Sequence, residues 1–240
     1  KDQQDAAFVK LEAQADALDK AYATRAEPKI WKAIVLSTHA GVSGGLGALS
    51  KVKAARDLLI AAEKIDATAL NGSIYTSLGS LYYQVPGWPI GFGDDEKAEA
   101  LLKKALALNP DGIDPNYFYG DFLLRQGRSA EALTALEKAM HAPARPGRED
   151  ADVGRRQEIQ GVWVGAVGHA VDQPGDAGVD QRFGAVQAGR VRHVAGRTAR
   201  RHAVHRRLDD GIGLGVDGAH AVPVAEQVAD FVAVRLPARR

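Results

Sequence analysis

The residues that could bind a metal ion or do chemistry are concentrated after residue 161. Five histidines lie there, and the four that could form a group are His193, His202, His205 and His220. A metal site needs ligands whose spacing is fixed by a helix or a hairpin, and the flanking sequence predicts neither. We therefore expect weak, nonspecific metal binding at most, and no cofactor.

Two glycine-rich stretches could bind a phosphate group. Residues 213–218 spell G-x-G-x-x-G, but no strand is predicted before them and no helix after them, so the context of a dinucleotide-binding turn is missing. Residues 41–47 precede a predicted helix but lack the Lys-Ser/Thr pair of a P-loop. We interpret the first stretch as chance and the second as a flexible connector.

The sequence contains no residue set typical of an enzyme. We find no Ser/His/Asp set, no H-E-x-x-H motif and no carboxylate pair at a spacing suited to catalysis. Cysteine is absent, which excludes disulfides, thiolate metal sites and cysteine nucleophiles. These observations predict a non-catalytic protein.

The charge and hydropathy of the chain restrict its partners. The net charge of +1 gives no general attraction for nucleic acid or membranes, and the arginines after residue 161 lack the interleaved aromatic residues of a specific nucleic-acid reader. No apolar run approaches the roughly 18–20 residues that span a bilayer. The chain begins at Lys1 without Met, which we interpret as a trimmed expression product or a mature exported protein. We expect a periplasmic or otherwise exported protein, with a cytoplasmic one as the alternative.

The composition divides the chain at about residue 160. Before this point Lys, Glu, Leu, Ala, Tyr and Ser recur with helical periods, whereas Lys, Ser, Asn, Tyr and Met are absent from Gly161 onward. We expect residues 1–160 to form a helical repeat domain and residues 161–240 to form a mostly disordered tail, because the tail has few large apolar residues. The tail is either a genuine low-complexity basic segment or the product of a frameshift in GC-rich DNA, and resequencing the gene would distinguish them.

Apolar periodicity predicts seven helices within residues 1–160. Glycine- and proline-rich loops are expected at residues 41–47 and 85–93, Asp94 or Asp95 is the predicted cap of the helix after the second loop, and Ser129 is a predicted N-cap. Residues 152–160 begin a capping helix that the tail does not continue. We therefore expect a partly exposed apolar face beside Leu133 and Leu136, with self-association as a result. The seven predicted helices run through Phe8 and Leu18, Trp31 and Leu36, Ala55 and Ala62, Leu78 and Tyr82, Ala98 and Ala105, Tyr119, and Ala132 and Ala139.

Two stretches of the chain carry similar residues at the same offsets. In both, a small, a large and a small residue follow one another at spacings of four and three, which places them on one helical face. A degenerate third copy contains Trp31, Ile34, Ala55, Leu59 and Ala62. This pattern resembles the tetratricopeptide (TPR) repeat, a helix–turn–helix unit of about 34 residues. The matching sets are Leu78, Gly79, Tyr82, Ala98, Leu102, Ala105 and Pro110, and Tyr119, Gly120, Leu123, Ala132, Leu136 and Ala139, with Pro143 and Pro146 near the closing position.

The TPR resemblance implies an all-α solenoid of about three helical pairs that binds a protein or peptide in a concave groove. The subgroup that clamps a peptide C-terminus is not expected, because Leu36 and Ser80 stand where it has asparagine. Asp121 and Arg125 are also spaced as a surface ion pair. The groove residues that the resemblance nominates are Lys29, Lys32, His39, Thr76, Ser80, Tyr83, Tyr117, Asp121 and Arg125.

Residues 91–99 are also similar to the TPR-type T-components associated with tripartite ATP-independent periplasmic transporters. This similarity implies an alternative function, an accessory protein with a pocket for a small apolar ligand. The overlapping loop at residues 85–93 carries Trp88, Ile90 and Phe92. These side chains either fold over the helix ends as a lid or contact a ligand or partner, because apolar groups in a loop are unfavourable in water.

Overall fold

The structure, a computed structural model, describes residues 2–172. This part of the chain folds as α-helices, and the predicted class, an all-α TPR-like solenoid, is confirmed. The predicted tail beyond residue 172, with its histidines and its G-x-G-x-x-G stretch, lies outside the described residues. The helices are α1 (Asp2–Ala21), α2 (Ala26–Ser43), α3 (Gly45–Ile65), α4 (Ala69–Gln84), α5 (Asp95–Leu108), α6 (Ile113–Arg125), α7 (Ser129–Met140) and α8 (Glu149–Asp172).

Two compact units make up the described chain. The first contains residues 2–110 and 144–154, and the second contains residues 111–143 and 155–172. In the first unit α2 packs on α3 and α4 packs on α5, while α1 covers α2; in the second, α6 packs on α7. No described helix is both long and apolar enough to cross a membrane.

The repeated small–large–small spacing lies in the core, as predicted. Ala98, Leu102 and Ala105 of α5 are fully buried. In the second unit, the equivalent residues of α7 are also fully buried. Each leucine packs against a glycine of the preceding helix, because an added Cβ at Gly79 or at Gly120 would lie 2.7 Å from the leucine Cγ. The leucine facing Gly79 is Leu102, and the one facing Gly120 is Leu136.

The predicted loop at residues 41–47 is wrong. Helix α2 continues to Ser43 and α3 begins at Gly45, so most of the residues predicted as a loop belong to these two helices. Only Gly44 separates them, and its φ of 65° lies in the left-handed region that glycine adopts without cost. Ala40 and Ala48 are fully buried on either side of this turn, and their small side chains let the two helices approach closely.

Two helix starts depend on different chemistry. At α5 the prediction is confirmed, since the Asp94 carboxylate accepts a hydrogen bond from the Lys97 backbone N–H at 3.0 Å. At α7 the predicted cap is wrong: Arg128 occupies the N-cap position and Ser129 is the first helical residue. The Arg128 guanidinium instead donates to both carboxylate oxygens of Glu131, at 2.7 and 2.6 Å.

The capping helix α8 is longer than predicted, because it continues past Gln160 to Asp172. In the second unit Ile159 and Ala166 are fully buried in one cluster with Leu133 and Leu136. The expected exposed face beside these two leucines is therefore wrong, and the physical reason to expect self-association from it is removed. Helix α8 can cover this cluster because residues 159, 162, 163, 166 and 167 are apolar and lie at helical spacing.

The glycine–leucine contact yields a stability prediction. We expect Gly79→Ala and Gly120→Ala each to lower the free energy of unfolding by about 1–3 kcal/mol, because the new methyl group overpacks the leucine. Gly161→Ala is the matched control, since a Cβ there meets nothing within 4 Å and alanine favours a helix. Urea unfolding of the three variants measures the effect. Equal stability of all three would show that the contact does not constrain the helix pairs.

Candidate binding surface

The loop between α4 and α5 has a fixed backbone shape. The N–H of Gly93 donates to the Pro86 carbonyl at 3.0 Å, and that of Asp94 donates to the Tyr82 carbonyl at 2.8 Å. Glycine is required where the loop closes, because an added Cβ at Gly91 would lie 2.3 Å from the Pro86 oxygen and one at Gly93 would lie 1.9 Å from the Val85 oxygen. The loop therefore presents its side chains from a well-defined frame.

The apolar side chains of this loop point in different directions. Phe92 is half-buried, with its ring edge-on to Tyr82 at 5.4 Å between centroids and the Arg56 guanidinium 4.6 Å from its own centroid. Trp88 is 90% exposed and Ile90 is 55% exposed. Phe92 thus folds over α4, whereas Trp88 and Ile90 project into solvent. Such exposure is uncommon for a tryptophan, because its large apolar surface gains free energy on burial.

A shallow groove of about 330 Å³ lies beside this loop, between α3 and α5 with α4 below. Two lysines of α5 contact tyrosines of α4: the Lys97 ammonium lies 5.4 Å from the Tyr82 centroid, and that of Lys104 lies 3.9 Å from the Tyr75 centroid. Contact with Tyr75, together with Glu63, raises the pKa of Lys104 above its usual value. The lining residues are Ile60, Glu63, Leu78, Tyr82, Lys97, Ala100, Leu101 and Lys104.

The groove residues predicted on α2 lie against α1. Lys29 pairs with Asp19 at 2.6 Å, and Lys32 pairs with Asp16 at 2.8 Å. His39 is buried, and its ring nitrogens face carboxylate oxygens of Glu12 and Asp5 at 2.6 and 2.8 Å. Their binding to a partner stays a prediction, but in this structure their polar groups contact α1 of the same chain.

Sequence reasoning missed these carboxylates of α1. Their spacing was a usable signal, because Asp5, Glu12, Asp16 and Asp19 follow one another at seven, four and three residues and so form one stripe on a helix. Hydrogen bonds from His39, and from Ser43, hold the pKa of Asp5 below its usual value.

The groove residues predicted on α4 are mainly engaged locally. Thr76 is 5% exposed. The Ser80 hydroxyl donates to the Ser77 carbonyl at 2.9 Å, and the Tyr83 hydroxyl accepts a hydrogen bond from the Gln84 amide at 3.2 Å. The first unit therefore contains eight of the predicted binding residues, counting Trp88 and Phe92 with those on α2 and α4, but it does not gather them at one point.

The predicted residues of α6 belong to the second unit. Asp121 and Arg125 form the predicted ion pair, at 3.3 Å. Tyr117 lies beneath Arg155, whose guanidinium is 4.6 Å from the ring centroid and pairs with Asp114 at 2.8 Å. Burial raises the pKa of the Tyr117 hydroxyl well above its usual value. Arg155 was missed because nothing in the local sequence connects it with a residue 41 positions earlier.

Comparison with known proteins agrees with this architecture. Paired helices with a glycine–leucine contact in each unit define a helical repeat protein. The sequence model of the tetratricopeptide repeat family matches residues 90–146, which contain α5, α6 and α7, so this part of the chain is TPR-like. No curated protein shows significant similarity to the chain.

The ion pairs between α1 and α2 yield a prediction about pH. Hydrogen bonds from Lys20 and Lys32 lower the pKa of Asp16 from 3.8 to about 2 in the folded chain. Between about pH 4 and pH 2 the unfolded chain therefore binds more protons, so stability falls as the pH falls through this window. We expect Asp16→Asn to make this dependence shallower in urea unfolding, and Gln14→Asn, at an exposed position of α1, to leave it unchanged. An unchanged slope in Asp16→Asn would contradict the assignment.

Proposed function

We propose that this protein is a non-catalytic scaffold that binds a protein or peptide partner, with Trp88 as an anchor of the interface. The observation that carries the proposal is the 90% exposure of Trp88 on a loop of fixed shape. The TPR family, to which residues 90–146 match, is generally non-catalytic and binds proteins. A repeat scaffold with a displayed aromatic residue fits that role.

The energetics of interfaces support Trp88 as the anchor. Tryptophan is enriched among residues whose truncation costs 2 kcal/mol or more of binding free energy. The backbone hydrogen bonds of residues 86–94 already hold the loop in shape, so binding would order few additional groups. Ile90 on the same loop adds apolar surface.

The predicted groove face of α2 and α4 in the first unit remains part of the proposal as a second contact region. Its residues on α2 are held by α1, so a partner that binds there would have to compete with the carboxylates of Asp16 and Asp19. The Trp88 loop needs no such rearrangement. For this reason we place the first contact at the loop.

A second proposal is a periplasmic accessory protein that binds a small apolar ligand. The apolar lining of the 330 Å³ groove beside the loop favours it, since such a volume lies at the small end of ligand pockets. A small ligand would bind within the groove, whereas a peptide would also cover Trp88.

Peptide display tests the scaffold proposal. We expect peptides selected from random 16-residue sequences on the full chain to bind the Trp88→Ala variant roughly 30-fold more weakly, a loss of about 2 kcal/mol of binding free energy. Val9→Ala is the matched control, because Val9 is a 55% exposed apolar residue on α1. Fluorescence anisotropy of labelled peptides measures Kd. Failure to select any peptide would overturn the scaffold, and equal Kd in Trp88→Ala would overturn the anchor.

A further inference from the structure

The groove beside the loop has a charge pattern as well as an apolar floor. Lys97 and Lys104 are seven residues apart on α5, which puts their backbones about 10 Å apart on one side of the helix. Leu101 lies between them and lines the same groove. Their side chains are 63% and 53% exposed. We call this surface, formed by Ile60, Glu63, Tyr82, Lys97, Leu101 and Lys104, the α3–α5 strip.

The two ammonium groups are incompletely neutralised. Lys97 has Asp94 at 3.9 Å, and Lys104 has Glu63 at 3.3 Å, both longer than a strong charge-assisted hydrogen bond of about 2.7–2.9 Å. Each lysine also lies near a tyrosine ring. Both can therefore accept a closer carboxylate, which at Lys104 would take the place of Glu63; the Glu63 carboxylate keeps a hydrogen bond from the Tyr75 hydroxyl at 2.9 Å.

Exposed apolar residues lie at both ends of the α3–α5 strip. At one end, the loop carrying Trp88 and Ile90 joins α4 to α5. At the other end, Ile65 follows Glu63 by two residues and Leu108 follows Lys104 by four, and both are more than 40% exposed. These four residues make up most of the large apolar side chains that are exposed in residues 2–172.

We propose that the α3–α5 strip binds an amphipathic segment of a protein partner that carries two carboxylates about 10 Å apart around a large apolar side chain. This proposal rests on the scaffold function and names the chemistry of its partner. The apolar side chain would occupy the groove above Leu101, and the carboxylates would pair with Lys97 and Lys104. Two separate cations around an apolar floor suit such a segment better than a nucleic acid, whose phosphates follow one another without apolar groups between them.

Charge reversal in the same display experiment tests the strip. We expect peptides selected on the full chain to be enriched in pairs of Asp or Glu around apolar residues, and to bind Lys97→Glu/Lys104→Glu at least 10-fold more weakly. Lys103→Glu is the matched control, because Lys103 is equally exposed on α5, pairs with Glu99 at 2.9 Å and does not line the groove. Replacing the acidic residues of a selected peptide by Lys should restore its binding to the double variant.

Several outcomes would overturn the strip. If selected peptides require Trp88 but bind Lys97→Glu/Lys104→Glu normally, the scaffold proposal stands and the strip proposal is wrong. If no peptide can be selected, the scaffold proposal itself is wrong. A concentration-dependent dimer in sedimentation that the double variant loses would assign the strip to a second copy of the chain. Binding to phosphatidylglycerol vesicles, lost in the same variant and without peptide binding, would assign it to a membrane surface. Lys97→Gln/Lys104→Gln repeats the test if the charge-reversed chain does not fold.

Discussion

The close contact between a glycine of one helix and a leucine of the next is the constraint on which both units depend. At Gly79 and at Gly120 the leucine Cγ occupies the space that any Cβ would need. The two helices of each pair can therefore approach closely, and the alanines one turn before and after the leucine are completely buried. Because interiors are packed like crystals, this contact fixes how the helices pack within each pair and hence which of their faces remain exposed.

In the first unit, that packing determines which charged residues are available for binding. The face of α2 with Lys29, Lys32 and His39 is covered by an acidic stripe of α1. By contrast, the side chains of Lys97 and Lys104 on α5 are 63% and 53% exposed, and they pair with carboxylates at 3.9 and 3.3 Å. The resemblance to TPR repeats nominated the α2 residues for a groove. The structure shows that a residue on the expected face of a repeat helix can be engaged by another part of the same chain.

The repeat register and the fold class could be predicted from the sequence, because the small–large–small spacing places its residues on one helical face and resembles the TPR repeat, whose fold is known. The connections were harder. Residues 41–47 resembled a loop by composition, yet the positive φ values of Gly44 and Gly45 let the chain reverse within two residues, while Gly41 and Gly47 lie in the helices. The end of α8 was hidden by the change in composition at Gly161, although Val162, Trp163 and Ala166 continue the apolar period. The exposure of the Trp88 side chain depends on how its loop closes in the folded structure, and no local sequence pattern indicated this.

A surface that holds charge beside apolar groups can discriminate among partners better than either feature alone. An apolar groove of about 330 Å³ would accept many side chains. Exposed lysines would attract many anions, but only weakly, because water and salt screen exposed charges. When a ligand covers Leu101 and Tyr82, it also removes water from around Lys97 and Lys104. An incorrectly placed carboxylate then leaves a partly desolvated cation without a partner, and such unpaired charges are costly. In the proposed interface, specificity would therefore follow from the position of the two lysines along α5 and from the apolar floor between them.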